Sequence, residues 1–360
     1  MTDAATLVGA TPRRRRRGRR KGALSPKVAA VLARAGSVLV TLLGLAGLTF
    51  MIGRLLPLDP VLAVLGDNAT PEAYRAMTIQ LGLDKPLIVQ FGNYLLDLAR
   101  LDFGNSLLSG RPVVDEIARV FPATLELATV AMVIGTGIGV PLGVVAAVYR
   151  NSWIDHTARI LSLIGYSAPN FWLGLMGLVL FYATLGWVGG PGRLDFIYEF
   201  DLTPVTGFFL LDALMSGNLE VFGNVFSHII LPASILALSS LAYISRMTRS
   251  FMIEQLEQEY VVTARAKGLG LWRIVWLHVF RNVAVQVITV VALSYAFLLE
   301  GAVLTETVFA WPGFGRYMTN ALLSADMNSV VGCTLLIGVI FVALNLICDI
   351  LYRILDPRTR

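Results

Sequence analysis

The sequence predicts an all-α polytopic membrane protein with six membrane-crossing helices, and three observations predict it. The chain is 56% hydrophobic and only 15% charged, whereas soluble domains carry about a quarter charged residues. Its apolar residues gather into uncharged blocks at 35–53, 127–149, 160–187, 229–245, 282–299 and 329–348, each near the roughly 20 residues that cross a bilayer core. Lys and Arg are shared unevenly between the connecting segments, as the positive-inside rule requires of a multi-span protein. A large soluble enzyme buries an occasional all-apolar helix, but six of this length exceed what a water-soluble core holds.

Taken in order, residues 1–27 read as a disordered, basic cytoplasmic tail. The run from Arg13 to Lys21 precedes the first span, which suits an orientation signal lying on anionic headgroups better than a nucleic-acid arm. Block 35–53 is longer than the apolar core of a secretory signal. The sequence after it, Gly53-Arg54-Leu55-Leu56-Pro57, is not a small-residue cleavage site, so the span is expected to stay. Pro57 and Pro60 then end the helix. Residues 57–122 carry polar helical stretches at 71–81 and 90–101, punctuated by Gly82, Asp84, Pro86 and Gly104, and are expected to form a compact extracytoplasmic cap. Residues 28–121 are thus the first span plus cap, 122–354 a five-helix core, and 355–360 a C-terminal tail.

Spans two and three are joined by a short loop, 150–159. A second outer region, about 190–227, holds an apolar run at 205–214 that Asp212 interrupts; it is too short to span and is expected to lie at the interface or re-enter. Residues 246–281 form the longest inner loop, and 301–328 a Gly- and aromatic-rich outer link. Pro141 and Pro232 fall inside spans, where neighbouring helices satisfy the freed backbone groups. With the N-terminus inside, 21 of the 29 Lys and Arg fall on inner segments. Setting the N-terminal region aside leaves 11 against 8, with the outer loops the longer ones. Both termini are therefore predicted cytoplasmic.

Little of the sequence carries catalytic chemistry. No Gly-Lys dipeptide occurs, so the chain has no phosphate-binding loop of the usual kind. His156, His228 and His278 stand apart from one another without metal-ligand spacing. Cys333 and Cys348 are separated by about 22 Å of helix, far beyond the roughly 7 Å a disulfide allows. No Gly-x-Ser-x-Gly or His-Glu-x-x-His is present, which removes the simplest routes to an intramembrane hydrolase.

The segment 254–273 is the most informative. Glu254, Glu257 and Glu259 come early and Arg265 and Lys267 late, an order that complements a helix dipole. Gly268 stands where a left-handed helix terminus takes glycine. Ala264, Ala266 and Gly268 are expected to leave a surface of little bulk on which another protein's backbone can seat. Physics alone allows two roles, a rigid element that passes a push into the membrane or an amphipathic helix resting on headgroups.

Thr263-Ala264-Arg265-Ala266-Lys267-Gly268-Leu269 resembles the EAA-loop signature of binding-protein-dependent ABC importer permeases of the dipeptide/oligopeptide type. Further segments are similar to that subfamily: Arg54-Leu55-Leu56-Pro57-Leu58-Asp59-Pro60, Leu81-Gly82-Leu83-Asp84-Lys85-Pro86, Asp102-Phe103-Gly104-Asn105-Ser106, Pro122-Ala123-Thr124-Leu125-Glu126-Leu127, Ser167-Ala168-Pro169-Asn170-Phe171-Trp172, the run from Glu306 to Gly315, and the run from Asp349 to Arg358. The match extends from about residue 30 to the C-terminus, and the large outer region resembles the first permease of a pair. Val262 stands where the signature opens with Glu, and Glu259 is the candidate to take over that acidic role.

The resemblance implies a type I ABC importer permease fold. It also implies a homologous second permease, two cytoplasmic P-loop ATPases that hold ATP and Mg, an extracytoplasmic solute-binding protein, and contact with membrane lipid but not nucleic acid. No cofactor is expected on this chain itself, which moves peptides or similar small solutes by alternating access. Glu259, Thr263, Ala264, Arg265, Ala266, Lys267 and Gly268 are the expected coupling residues. Polar groups in a span are costly in lipid and so are functional candidates. Asn170 and Asn345 are such candidates, Glu300 fits either a pathway lining or a helix–helix hydrogen bond, and Asp349 fits a pair with Arg353 one turn on. A secondary transporter would instead show inverted repeats with paired broken helices, which the sequence does not.

Overall fold

The computed structural model describes residues 26–55, 60–66, 69–80, 82–324 and 326–355, and the side chains of 34–53, 61–62, 65–66, 69–80, 82–324 and 326–347. Tail residues 1–25, the motif residues 56–59 and Leu81, and the last residues 356–360 lie outside the described residues, as do the side chains of Arg54, Cys348, Asp349 and Arg353. The chain divides into two units, Met1–Leu43 and Gly44–Arg360. The described part of the first is helical throughout, the opening turns of α1 (Pro26–Leu55).

The second unit is all helix and loop among its described residues. After α1 come three short helices, α2 (Pro60–Leu65), α3 (Pro71–Gln80) and α4 (Leu87–Ala99). Tyr94 of α4 shares a 2.8 Å hydrogen bond with Thr49 of α1, and Phe50 packs on Phe91 and Tyr94. The core then runs α5 (Val113–Val148), α6 (Trp153–Ser167), α7 (Asn170–Gly177), α8 (Phe209–Ser216), α9 (Leu219–Leu256), α10 (Glu259–Ala266), α11 (Leu271–Arg273), α12 (Phe280–Val308), α13 (Phe314–Leu323) and α14 (Met327–Leu355). A π-helical stretch, Ile274–Val279, makes α11 and α12 one continuous helix.

Five of the described helices are long and apolar enough to cross a membrane, or six if α6 and α7 count as one broken span. That break departs from the single third span expected. Ala168 and Pro169 are both extended (ψ 131° and 125°), and the helices on either side meet at 97°. Proline disfavours helical backbone at the residue before it, and here nothing overrides that preference. Pro122 and Pro141 in α5 and Pro232 in α9 stay within unbroken helices.

The helices also overrun the uncharged blocks. α9 has 38 residues where 17 were expected to span, a length of about 57 Å at 1.5 Å per residue. The expected long inner loop 246–281 therefore shrinks to 257–270. The outer link is largely helical too, as the end of α12 and α13.

α5 and α9 form the centre, with half or more of their most apolar windows buried, against 17% for α14. They run parallel, because Gly135, Gly139 and Gly143 of α5 meet Ser240, Ile244 and Thr248 of α9 in the same order. A Cβ on Gly143 would lie 2.6 Å from the Ser245 carbonyl oxygen and 2.8 Å from Thr248 Cβ. Glycine every fourth residue thus lets two backbones touch, the packing that replaces the hydrophobic effect in lipid. Leu127, Val144, Ile229, Leu236, Val279 and Val283 fill the space between these helices and α12.

Candidate functional site

The segment expected to couple to a partner is a short helix braced on one side. α9 ends at Leu256, residues 257 and 258 turn the chain, and α10 occupies Glu259–Ala266. Glu259 lies in its first turn and Arg265 in its last, complementing the helix dipole. Gly268 adopts φ +78°. Its N–H donates to the Arg265 carbonyl (2.9 Å), and the Leu269 N–H to the Ala264 carbonyl (3.2 Å). This pair of bonds is a Schellman terminus with glycine at its left-handed position, the conformation expected from sequence.

One expectation about this helix is corrected. Ala264 is only 9% exposed and, with Val261, joins the core that includes Met252, Ile274 and Val275. Its small side chain serves this chain's own packing rather than an open docking face. Glu259, Val262, Thr263, Arg265, Ala266, Lys267 and Gly268 are exposed. Val262, which replaces the signature's acid, is 65% exposed.

A buried carboxylate ties α6 to α9. Asp155 is fully buried and receives Arg249 through Nε (2.7 Å) and Nη2 (2.8 Å), the Asn151 N–H at 3.0 Å, and Arg159 at 3.6 Å. Ser152 caps the same helix through the Asp155 N–H. Sequence reasoning passed over this node by reading 150–159 as loop. The available signal was the Ser152-x-x-Asp155 spacing of a capped helix start. Arg150 and Glu257 pair at 2.5 Å with both side chains half exposed or more, so that contact is worth little.

At the opposite end, buried acids assemble segments far apart in sequence. Glu306 is fully buried near the end of α12. Its carboxylate accepts from Thr124 Oγ1 of α5 (2.5 Å) and from the Arg316 N–H of α13 (3.0 Å). Thr124 Oγ1 in turn accepts the Phe314 N–H (2.8 Å), and Trp311 Nε1 donates to the Ala123 carbonyl (3.0 Å). A Cβ on Gly313 would sit within about 2.5 Å of the Glu306 carboxyl carbon, which explains glycine there. Glu126 accepts from Arg193 (2.5 Å) and the Leu210 N–H (2.7 Å), with the Arg193 guanidinium 3.6 Å above the Phe209 ring. Burial pulls the Arg193 guanidinium below its usual pKa, and the charges of Glu126 and Asp212 oppose that. Asp326, ahead of α14, accepts from Ser106 (2.6 Å), the Leu107 N–H (2.9 Å) and Ser329 (2.8 Å). His228 is no lone histidine either: Nδ1 lies 2.8 Å from the Asn224 carbonyl and Nε2 3.4 Å from Asp195.

The three polar pathway candidates are scattered. Glu300 is exposed and lines a cavity of about 440 Å³ with Leu299, Phe314, Met318 and Phe341. Asn170 opens α7 half-buried, and Asn345 is exposed on α14. No hydrogen bond between described residues joins any two of them.

Residues 139–360 match the model of the binding-protein-dependent transport system inner membrane component family, and residues 28–128 match the N-terminal region of such membrane components. The chain is 47% identical over 323 residues to the probable D,D-dipeptide transport system permease protein DdpB of Escherichia coli (strain K12), covering 90% of this chain and 94% of that protein. It is 43% identical to the di/tripeptide transport system permease protein DppB of Pseudomonas aeruginosa (strain UCBPP-PA14), over 91% of this chain and 97% of the relative. It is 42% identical to the dipeptide transport system permease protein DppB of Escherichia coli (strain K12), over 92% and 98%. A structure titled as inward-facing conformations of the MetNI methionine ABC transporter superposes with a TM-score of 0.48 at 18% identity, covering 65% of this chain and 93% of that one.

Proposed function

The chain belongs to the binding-protein-dependent transport system inner membrane component family, and from that premise we propose that it is the permease subunit of an ATP-driven peptide importer. The peptide class follows from what those relatives are named to carry. A solute-binding protein outside delivers the substrate, and a homologous second permease completes the passage. Two P-loop ATPases inside hold ATP and Mg, a division of labour that suits a chain without Gly-Lys. Residues 28–121 are then the first span and cap, 122–354 the permease core, and both termini are cytoplasmic.

The observation that carries the coupling role is the bracing of α10. Val261 and Ala264 lock it into a core shared with α9 and α12, and Gly268 fixes its end. A partner that grips the exposed face therefore moves α9 and α12 with it. Closure of the ATPase pair on ATP would draw α10 inward and open the outer face, and hydrolysis would reset it. Such a subunit is a two-state element biased by a partner.

The test is Ala266→Arg, because Ala266 is exposed and the change adds bulk without entering the core. The expected result is normal membrane insertion, with loss of ATPases from the purified importer and loss of peptide uptake together. Full uptake with full ATPase retention would refute the role given to α10.

A further inference from the structure

Three uncharged blocks end at one place. The second block closes at Arg150, the third opens after Arg159, and the fourth closes at Arg246. Between these ends lies a cavity of about 420 Å³ bounded by α5, α6 and α9. Arg159, Arg246 and Arg249 line its polar side, and Ala146, Leu163 and Tyr166 are among its apolar walls. Asp155 is in contact with two of these arginines, Arg159 and Arg249, so three cations share one neighbouring anion. Arg249 is committed to Asp155 by two hydrogen bonds, and Arg159 leans on it at 3.6 Å. Arg246 meets no carboxylate among the described residues; its guanidinium stands 5.5 Å from the Tyr166 ring and 5.8 Å from the Tyr243 ring.

We propose that this cavity binds the headgroup of an anionic phospholipid of the cytoplasmic leaflet, with Arg246 and Arg159 on the phosphodiester and the acyl chains along α6. Three features of the pocket fit that ligand. The excess of positive charge matches an anion, and basic pockets between membrane helices on the cytoplasmic side suit acidic headgroups. The height matches, because the pocket sits where hydrocarbon-length segments give way to charge. The continuation matches, because α6 leaves Ile160, Leu161, Leu163 and Ile164 more than half exposed beside the pocket. A free phosphate would use the arginines but not that apolar track, and a substrate carboxylate would not need it. The level of the pocket rests on the membrane orientation proposed above, which cysteine labelling tests separately.

The experiment uses the whole purified importer in nanodiscs of phosphatidylcholine with a minor fraction of phosphatidylglycerol, and measures the lipid that remains after detergent extraction. Wild type is expected to retain phosphatidylglycerol selectively. Arg246→Gln is expected to weaken that retention about fivefold, the effect of one basic residue at an anionic surface. Arg273→Gln, outside the pocket, is expected to leave it unchanged. Ser162→Trp, which fills the cavity while keeping every arginine, is expected to abolish it. Arg246→Lys, which keeps the charge, is expected to retain most of it and controls for folding. Equal retention in wild type, Arg246→Gln and Ser162→Trp would overturn the proposal. So would displacement of the lipid by millimolar inorganic phosphate, which would assign the arginines to a free anion, or by a substrate peptide.

Discussion

At the scale of single residues, the buried acids decide how the end opposite α10 is built. A carboxylate without contact to water is tolerated only when donors surround it, and removing one side of such a contact costs more than making it gains. Glu306 receives the Thr124 hydroxyl and the Arg316 N–H, so it holds α5, α12 and α13 in one arrangement. Glu306→Ala leaves both donors unpaired in a cavity and is expected to destabilise the permease by about 2–6 kcal/mol, at roughly 1–3 for each unsatisfied donor. Glu306→Gln keeps the shape and one acceptor and should cost clearly less. Thermal unfolding of the two variants in detergent checks the order, and equal melting of alanine, glutamine and wild type would contradict it. These acids were visible in the sequence as members of similar segments, Glu126 beside Thr124 and Glu306 before Trp311, but their partners were not. Arg193 lies 67 residues from Glu126, and no local pattern announces a contact at that separation. Ala264 carries the opposite lesson. A small residue in an exposed-looking motif suggested a docking surface, and whether it faces out or in is set by the rotation of α10 against its own core.

At the scale of elements, hydropathy located the spans and misjudged their ends. A charge closes an uncharged block without closing a helix: Asp115, Glu116 and Arg119 sit inside α5, and Arg246, Arg249 and Glu254 inside α9. These residues are tolerable or good helix formers, so the helices continue past the uncharged blocks. Proline was equally ambiguous. Pro122, Pro141 and Pro232 remain helical while Pro169 breaks the chain by 97°, a difference made by packing rather than by the residue. The stripe Gly135, Gly139, Gly143 was legible only as glycine richness, since its partner helix lies about 100 residues away. It yields a paired prediction. A Cβ on Gly143 meets the α9 backbone at 2.6 Å, while one on Gly137 meets nothing within 4 Å. Gly143→Ala should therefore destabilise by roughly 1–3 kcal/mol through overpacking. Gly137→Ala should be neutral or gain up to about 1 kcal/mol of helix propensity. Resistance of the two variants to unfolding by SDS separates the cases, and the same response from both would show that α5 and α9 do not touch as described.

At the scale of the whole molecule, the direction in which the chain is threaded joins the pieces. α5 and α9 run parallel, so the broken pair α6 and α7 must bring the chain back across between them. The Arg150–Glu257 pair links the ends of both helices. α10 follows the end of α9, whereas the Glu126, Glu306 and Asp326 contacts gather near the starts of α5 and α14 and the end of α12. The orientation proposed above rests on charge. Arginines at 150, 159, 246, 249, 265, 273 and 281 and Lys267 crowd the α10 end, the excess by which the positive-inside rule would assign it to the cytoplasm. The orientation is tested with single cysteines on the two sides. Ser109 lies in an exposed turn between α4 and α5, and Val262 on the exposed face of α10. In a chain with Cys333 and Cys348 replaced, Ser109→Cys should react with a membrane-impermeant maleimide in spheroplasts, and Val262→Cys only after the membrane is opened. In the assembled importer, Val262→Cys should stay protected even in open membranes, because the ATPases would cover it, and removing them should restore labelling. The reverse pattern, with position 262 reactive in intact cells, would invert the topology and with it the side from which α10 is driven.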